Sequence, residues 1–319
     1  MILAGDIGGT KTHLALMNGK QVVYDEKFKS RDYSNLNDIV HHFLEKTGEK
    51  VERACFGIAG PIRDGRCQAT NLPWVVDAKE LGREMKTNVV FLLNDLEANA
   101  YGIRTLNAQE LYTLNEGAQD SVGNQVLISA GTGLGEAGLY WDGKMHHPFP
   151  CEGGHSDFAP RNELEMELLR WMHKIYGGHV SYERALSGPG LHHLYLFLTE
   201  MRLETPDEEG FEDVDPPKAI TERALNNQSK ACVRALRWFV SLYGGEAGNL
   251  ALKMLSLGGV FIGGGIAPKI LPFLKERDFM RAFCDKGRFA KLLSQIPIKV
   301  ILNENTALLG AAYYAQEKG

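Results

Sequence analysis

Cysteine is scarce and scattered in this 319-residue chain: five residues, Cys55, Cys67, Cys151, Cys232 and Cys284, with no CxxC pair among them. An odd, dispersed set argues against a disulfide framework or a structural zinc site, and a reducing cytoplasm is the expected compartment. No apolar run approaches the ~20 residues needed to span a bilayer. The first residues lack a basic stretch ahead of an apolar one, so no secretory signal is expected either. Positive charge is not in excess. With 35 Lys and Arg against 40 Asp and Glu, the formal net charge is −5, which argues against nucleic acid or an anionic membrane as the main partner. A GxxxxGK[ST] run is missing, which removes the P-loop NTPases. The adjacent histidines at 41–42, 146–147 and 192–193 diverge in direction on any regular element, so they are read as surface groups rather than metal ligands.

What is present is an ordinary globular composition, 44% hydrophobic and 24% charged. The length exceeds what one core usually supports, so two lobes are expected. Strand-like stretches fall at about 2–8, 12–18, 21–29, 51–59, 89–94, 125–130, 136–141, 258–263 and 297–302. Helical patterns fall near 35–47, 77–86, 95–104, 162–176, 217–256, 279–294 and 306–317. This alternation is that of an α/β protein. The acidic, proline-containing segment 202–217 is expected to be a solvated loop.

Three glycine clusters punctuate the strands. The first, DIGGTKT, sets Gly8 and Gly9 between two strands. Alone it could be a plain hairpin that uses glycine's access to positive φ. Its neighbours Asp6, Thr10, Lys11 and Thr12 would add a carboxylate, two hydroxyls and an ammonium around exposed N–H groups, the makings of a phosphate-and-metal site. The second, in QVLISAGTGLGEAGLYWDG (125–143), repeats the layout, with Gly131, Thr132 and Gly133 at the turn. Gly133, Gly135 and Gly138 spell GxGxxG, but the segment they open alternates like a strand, so a dinucleotide fingerprint is excluded. The third, GGVFIGGGIAP (258–268), ends a strand in Gly263, Gly264 and Gly265, with Pro268 placed to open a helix. Two Gly/Thr hairpins for phosphates and a side-chain-free turn for a nucleoside make one ATP site.

DIGGTKT, SAGTGLG and GGGIAP resemble the phosphate-1, phosphate-2 and adenosine elements of the actin-like ATPase superfamily of sugar kinases. LLNDLEANAYG (92–102), PCEGGHSDFAP (150–160) and SYERALSGPGL (181–191) are similar to bacterial glucokinases, and the likeness runs over nearly the whole chain. The resemblance implies a two-lobed actin-like ATPase (ribonuclease H-like) fold, with duplicated βββαβα lobes and a cleft between them. The smaller lobe would be 1–105, the larger 106–303, and 304–319 a helix returning to the smaller lobe or hinge. Ala307, Gly310, Ala311 and Ala312 give that helix a small-residue face suited to close crossing. A homodimer is implied as well. The related repressor/open-reading-frame/kinase group carries a cysteine-rich zinc motif that this chain lacks, which points to the zinc-free branch. A hairpin beginning at residue 6 leaves no room ahead of it for a DNA-binding helix-turn-helix, against a sugar-sensing repressor.

Asn94 and Asp95 end an apolar strand where a helix begins, the place where ligands gather in open α/β sheets. Asp95 could be a helix cap. It is also the candidate base that takes the proton of a sugar hydroxyl, matching the family's catalytic aspartate, with Asn94 orienting the same end of the sugar. Glu152 and His155 flank two glycines. No third ligand lies at zinc-like spacing, so they are read as acceptors and donors for sugar hydroxyls. Glu183 joins them by family match, and Asn71 in ATNLPW is a candidate for the opposite wall. The expected activity is glycolytic phosphorylation of glucose at its 6-hydroxyl by ATP with Mg²⁺. Asp6 would hold the hydrated metal, and Thr10, Thr12, Thr132 and Gly133 would contact the phosphates. Another hexose or an amino sugar is the alternative substrate. A motion-coupled ATPase, the alternative of another class, leaves Asn94-Asp95 and Glu152-x-x-His155 unexplained.

Overall fold

In a computed structural model describing every residue except Lys20, Glu208, Glu209, Glu212, Asp213 and Gly319, the chain divides into two compact units. One is Met1–Ala108 with Asn303–Gly319, the other Gln109–Leu302. The first unit opens with an antiparallel meander, β1 (Ile2–Ile7), β2 (Lys11–Asn18) and β3 (Gln21–Lys29). Helix α1 (Leu36–Thr47) leads into β4 (Arg53–Ile58), parallel to β1. A separate three-stranded ribbon follows, β5 (Ile62–Arg63), β6 (Arg66–Gln68) and β7 (Val75–Asp77). Then come α2 (Ala78–Met85), β8 (Val90–Asn94) parallel to β4, and α3 (Asp95–Gly102). The sheet order is β3-β2-β1-β4-β8.

The period-2 alternation of strand side chains splits this sheet into two unlike faces. Leu3, Ile7, Leu14, Leu16 and Phe56 form a large-residue face packed on Leu36, Ile39 and Phe43 of α1 and Leu81 of α2. Ala4, Ala15, Met17 and Cys55 form a small-residue face against Ala98, Leu308, Ala311, Ala312 and Ala315. The small face lets α3 and the C-terminal helix Thr306–Lys318 nearly touch backbone to backbone. A Cβ on Gly310 would collide with the Ala98 carbonyl, and one on Gly102 with the Thr306 carbonyl. Helix α1 is bounded by its own chemistry: Asn35 accepts the Asp38 N–H at 2.9 Å, and Gly48 closes it at φ 63°.

In the second unit β9 (Leu111–Asn115) precedes a second meander, β10 (Gln125–Ala130), β11 (Leu134–Trp141) and β12 (His146–Cys151). Helices α4 (Glu163–Tyr176), α5 (Gly188–Glu200), α6 (Pro216–Leu225) and α7 (Lys230–Met254) come next. Then follow β13 (Gly259–Gly263), the short helices α8 (Leu271–Leu274), α9 (Arg277–Cys284) and α10 (Ala290–Ser294), and β14 (Ile298–Ile301). The sheet order is β12-β11-β10-β13-β14-β9, with β10, β13 and β14 parallel. Its core is built around α7, whose Leu236, Phe239, Tyr243, Ala247 and Leu250 cluster with Val126, Ile128, Val260 and Ile262.

Several expected helices differ. The stretch 217–256 breaks at Asn227, which takes φ 54°, and restarts at Ser229, whose Oγ accepts the Cys232 N–H at 3.1 Å. The stretch 279–294 breaks near Gly287 at φ 55°. Pro268 lies within a run of turns, and the helix beyond it starts only at Leu271. Of the acidic segment 202–217, Glu208, Glu209, Glu212 and Asp213 lie outside the described residues, and α6 already begins at Pro216.

Candidate active site

The carboxyl ends of β1, β4 and β8 lie side by side, since Asp6 pairs with Gly57 and Ile58 with Asn94. Asn94, not Asp95, caps α3: its Oδ1 accepts the N–H groups of Leu96 at 2.9 Å and Glu97 at 3.3 Å. Its Nδ2 donates to the Gly60 carbonyl at 3.4 Å. With the cap supplied by its neighbour, Asp95 stands in the first turn, its Oδ1 accepting the adjacent Leu96 N–H at 3.0 Å. Burial first, and then the like charge of Asp95, push Asp6 up to about 6, against the pull of Lys11.

The turn between β1 and β2 is held by the Gly8 N–H donating to the Lys11 carbonyl at 3.0 Å. Thr10 and Lys11 are exposed there. Neither Gly8 nor Gly9 takes a positive φ, so conformational freedom does not explain the pair. Space does for Gly9: an added Cβ would lie 2.5 Å from Asn71 Cβ, which places Asn71 on this turn. Thr12, expected among the phosphate contacts, is instead fully buried, and its Oγ1 shares a 3.0 Å hydrogen bond with Ser30. Ser30 in turn donates to the Gly8 carbonyl at 2.8 Å. Thr12 therefore braces the turn from beneath rather than facing a ligand.

In the second unit the turn Gly131–Thr132–Gly133 joins β10 to β11, closed by the Gly131 N–H on the Gly133 carbonyl at 2.8 Å. Here too the glycines have no positive φ. A Cβ on Gly131 would meet open space, whereas one on Gly133 would strike Glu183 Oε2. That oxygen accepts the Leu134 N–H at 3.0 Å, and Glu183 Oε1 lies 4.0 Å from His155 Nδ1. Glu183 sits in a short 3₁₀ turn, Tyr182–Arg184, and Ser187 ties it to α5 by donating to its carbonyl at 2.7 Å. The Gly188 N–H donates to the Gly131 carbonyl at 2.8 Å, so the start of α5 also supports the hairpin.

Glu152 and His155 are exposed on a loop that follows β12, with the His155 N–H on the Glu152 carbonyl at 3.0 Å. The two glycines between them answer to the protein beneath. A Cβ on Gly153 would strike the Glu136 carboxylate, and one on Gly154 the Leu134 carbonyl. Gly264, after β13, takes φ 83° with its Cα against the Ala130 carbonyl, while Gly265 faces open space. The two parallel strands are pinned where they end by a residue the sequence reading missed. Fully buried Tyr243 Oη accepts the Ala130 N–H at 3.1 Å and points its proton at the Ile128 and Gly263 carbonyls, each 3.2 Å away. Its only sequence signal was a tyrosine inside an apolar helix, where a hydroxyl needs a partner. The structure thus gathers Gly131, Thr132, Gly133, Glu152, His155, Glu183 and the Gly263–Gly265 turn in one unit. Asp6, Gly8, Gly9, Thr10, Lys11, Asn71, Asn94 and Asp95 belong to the other.

The chain matches a family model described as Glucokinase over residues 3–318. It is 42% identical to a glucokinase of a Nostoc species, covering 99% of this chain and 98% of the relative. A crystal structure of glucokinase from an Antarctic psychrotroph is similar at a TM-score of 0.83 and 31% identity, over 99% of this chain and 98% of that one. A ROK family glucokinase from Streptomyces griseus, solved with glucose and AMPPNP, shares the fold at a TM-score of 0.69 and 20% identity, covering 100% and 99% of the two chains.

Proposed function

The chain belongs to the glucokinase family, and we propose that it transfers the γ-phosphoryl group of ATP to the 6-hydroxyl of glucose through the groups described above. The observation that carries the residue roles is the position of Glu183: one carboxylate oxygen on the hairpin N–H of Leu134, the other 4.0 Å from His155. A phosphate-type turn and a hydroxyl-binding pair are thereby built as one piece.

Asp95 takes the proton of the attacking hydroxyl. A sugar hydroxyl is a weak nucleophile, and a carboxylate within hydrogen-bond reach orients it and accepts its proton as the bond to phosphorus forms. Asn94 fixes the aspartate by capping α3 and lies beside it for the same end of the sugar. Glu152, His155 and Glu183 pair with ring hydroxyls, each of which both donates and accepts, and Asn71 is the further candidate from the first unit. The backbone N–H groups of Gly9, Thr10, Thr132 and Gly133, with the hydroxyls of Thr10 and Thr132, hold phosphate oxygens, while the Gly8 and Gly131 N–H groups close the two turns. The Gly263–Gly265 turn receives the nucleoside, Gly265 offering open backbone. Asp6 suits Mg²⁺ held through water, since a cation relieves the repulsion that helps push this carboxyl up to about 6. Bound there, the ion would neutralise phosphate charge.

The two sheets share one strand layout, three antiparallel strands followed by two parallel ones, which supports a duplicated lobe of the actin-like ATPase fold. No cysteine follows His155 until Cys232, which favours the zinc-free branch. The five free thiols suit a cytoplasmic setting, and the family resemblance supports a homodimer. The test is ATP consumption over a panel of hexoses and amino sugars, with phosphorus NMR of the product. Glucose 6-phosphate as the preferred product is expected. Equal turnover with an amino sugar, or vigorous hydrolysis without sugar, would overturn it.

A further inference from the structure

Glu136, on β11, is 1% exposed, and its Oε1 has no hydrogen-bond partner among the described residues. Its other oxygen occupies the space that any side chain on Gly153 would need. The loop carrying Glu152 and His155 therefore rests on this carboxyl at Gly153 and on the β11 backbone at Gly154. From α7 the groups facing it are Glu246, fully buried, Lys253, half exposed, and Tyr243. From β12 it is Cys151, whose Sγ–H donates to the Glu136 carbonyl at 3.4 Å. Tyr182, which grips the far side of the loop through the Ser156 and Ala159 carbonyls, stands beside Glu246.

The cations here serve Glu246 before Glu136. Glu246 takes Asn249 Nδ2 at 2.7 Å and Lys253 Nζ at 3.5 Å and also feels the charge of Lys286, while Glu136 Oε1 has no hydrogen-bond partner among the described residues. We propose that Glu136 is a positioning residue for the Glu152–His155 loop, seating Gly153 while its carboxyl is neutral and unseating it when ionised. The inference rests on that loop binding glucose. An unpaired charge at this depth is costly unless it reaches water, and the loop leads to solvent through the exposed Glu152 and His155. Burial first, then the Glu246 charge, push Glu136 up to about 7, against the pull of Lys253. The change therefore falls within the working range of pH.

The experiment is glucose affinity by calorimetry, and KM for glucose and for ATP, between pH 6 and 9. If only the neutral form seats the loop, the glucose dissociation constant rises roughly tenfold from pH 6 to pH 8. KM for ATP should not follow. Glu136→Gln is isosteric and neutral throughout, so its glucose affinity should stay level over the same range. A second pair guards against misfolding: Gly153→Ala should weaken glucose binding at every pH, and adding Glu136→Ala should restore it by vacating the contested space. Glu152→Gln separates the two readings. Weakened glucose binding in Glu152→Gln, together with an unaltered pH slope in Glu136→Gln, overturns the positioning role and leaves the loop as the sugar site. Unaltered glucose binding in Glu152→Gln overturns both.

Discussion

Glu183 lies on the bare Cα of Gly133, with its Oε2 where a Cβ would have to go. The hairpin proposed for the nucleotide and the carboxylate proposed for the sugar therefore cannot be altered independently.

Gly133→Ala should disturb both substrates. The added methyl drives Oε2 away from the Leu134 N–H, and a charged, part-buried hydrogen bond of this kind is worth roughly 1–3 kcal/mol, a factor of about 5 to 150. KM for glucose is expected to rise by that order along with KM for ATP. A variant that loses only ATP affinity would show that Glu183 does not bind sugar.

Asp95→Asn should leave glucose binding almost intact, since the amide has the same shape, and Asn94 still caps α3. The loss falls on kcat, by roughly 10²- to 10⁴-fold. Steady-state rates beside calorimetric glucose binding make the comparison, and a kcat within tenfold of the parent would remove Asp95 as the base.

Tyr243→Phe strips the hydroxyl that joins the ends of β10 and β13, leaving the Ala130 N–H buried and unmet. The expected cost is about 1–3 kcal/mol of stability, with a larger rise in KM for ATP than for glucose if both strands end in nucleotide turns as proposed. Urea unfolding and KM values check it. Equal rises in both KM values would argue that the hydroxyl serves only global stability.

A pH effect on stability follows from Glu136. Its carboxyl binds a proton more tightly folded, at about 7, than unfolded, near the ordinary glutamate value of 4.5. The unfolded chain therefore carries fewer protons between these values, and stability falls as pH rises through that window. The penalty above it is about 3 kcal/mol at most. Glu136→Gln should melt like the parent near pH 4 and at a higher temperature near pH 8. Melting curves that stay parallel across that range would show that Glu136 is ionised in the folded protein at no cost.

The strand–turn–strand pattern of 125–143 was legible because alternation and turn chemistry are local. The same alternation set the GxGxxG run on a strand, and Leu134–Trp141 is one. Helix α5 was not legible. No helical pattern is read over 188–200, where Gly188, Pro189 and Gly190 are poor helix formers, yet Ser187 caps the Gly190 N–H at 3.1 Å and proline fits the first turn. The fault at Gly8, Gly9, Gly131 and Gly133 was different: glycine was expected for its dihedral freedom, but Gly9 and Gly133 serve a contact from residues 62 and 50 positions away in sequence. Nothing local announces such a neighbour. Thr12 failed in the same way, because only the packed meander shows that it points at Ser30.

The small-residue face of the first sheet also sets an order of events during synthesis. Residues 109–302 form an uninterrupted unit whose core can close as soon as β14 has emerged from the ribosome. The first unit cannot do the same. Ala4, Ala15, Met17 and Cys55 await Leu308, Ala311, Ala312 and Ala315, which are translated last. Until then α3 covers that face only in part, through Ala98, and the rest is an apolar surface open to chaperones and to aggregation. The part of the chain that is made first is thus finished last.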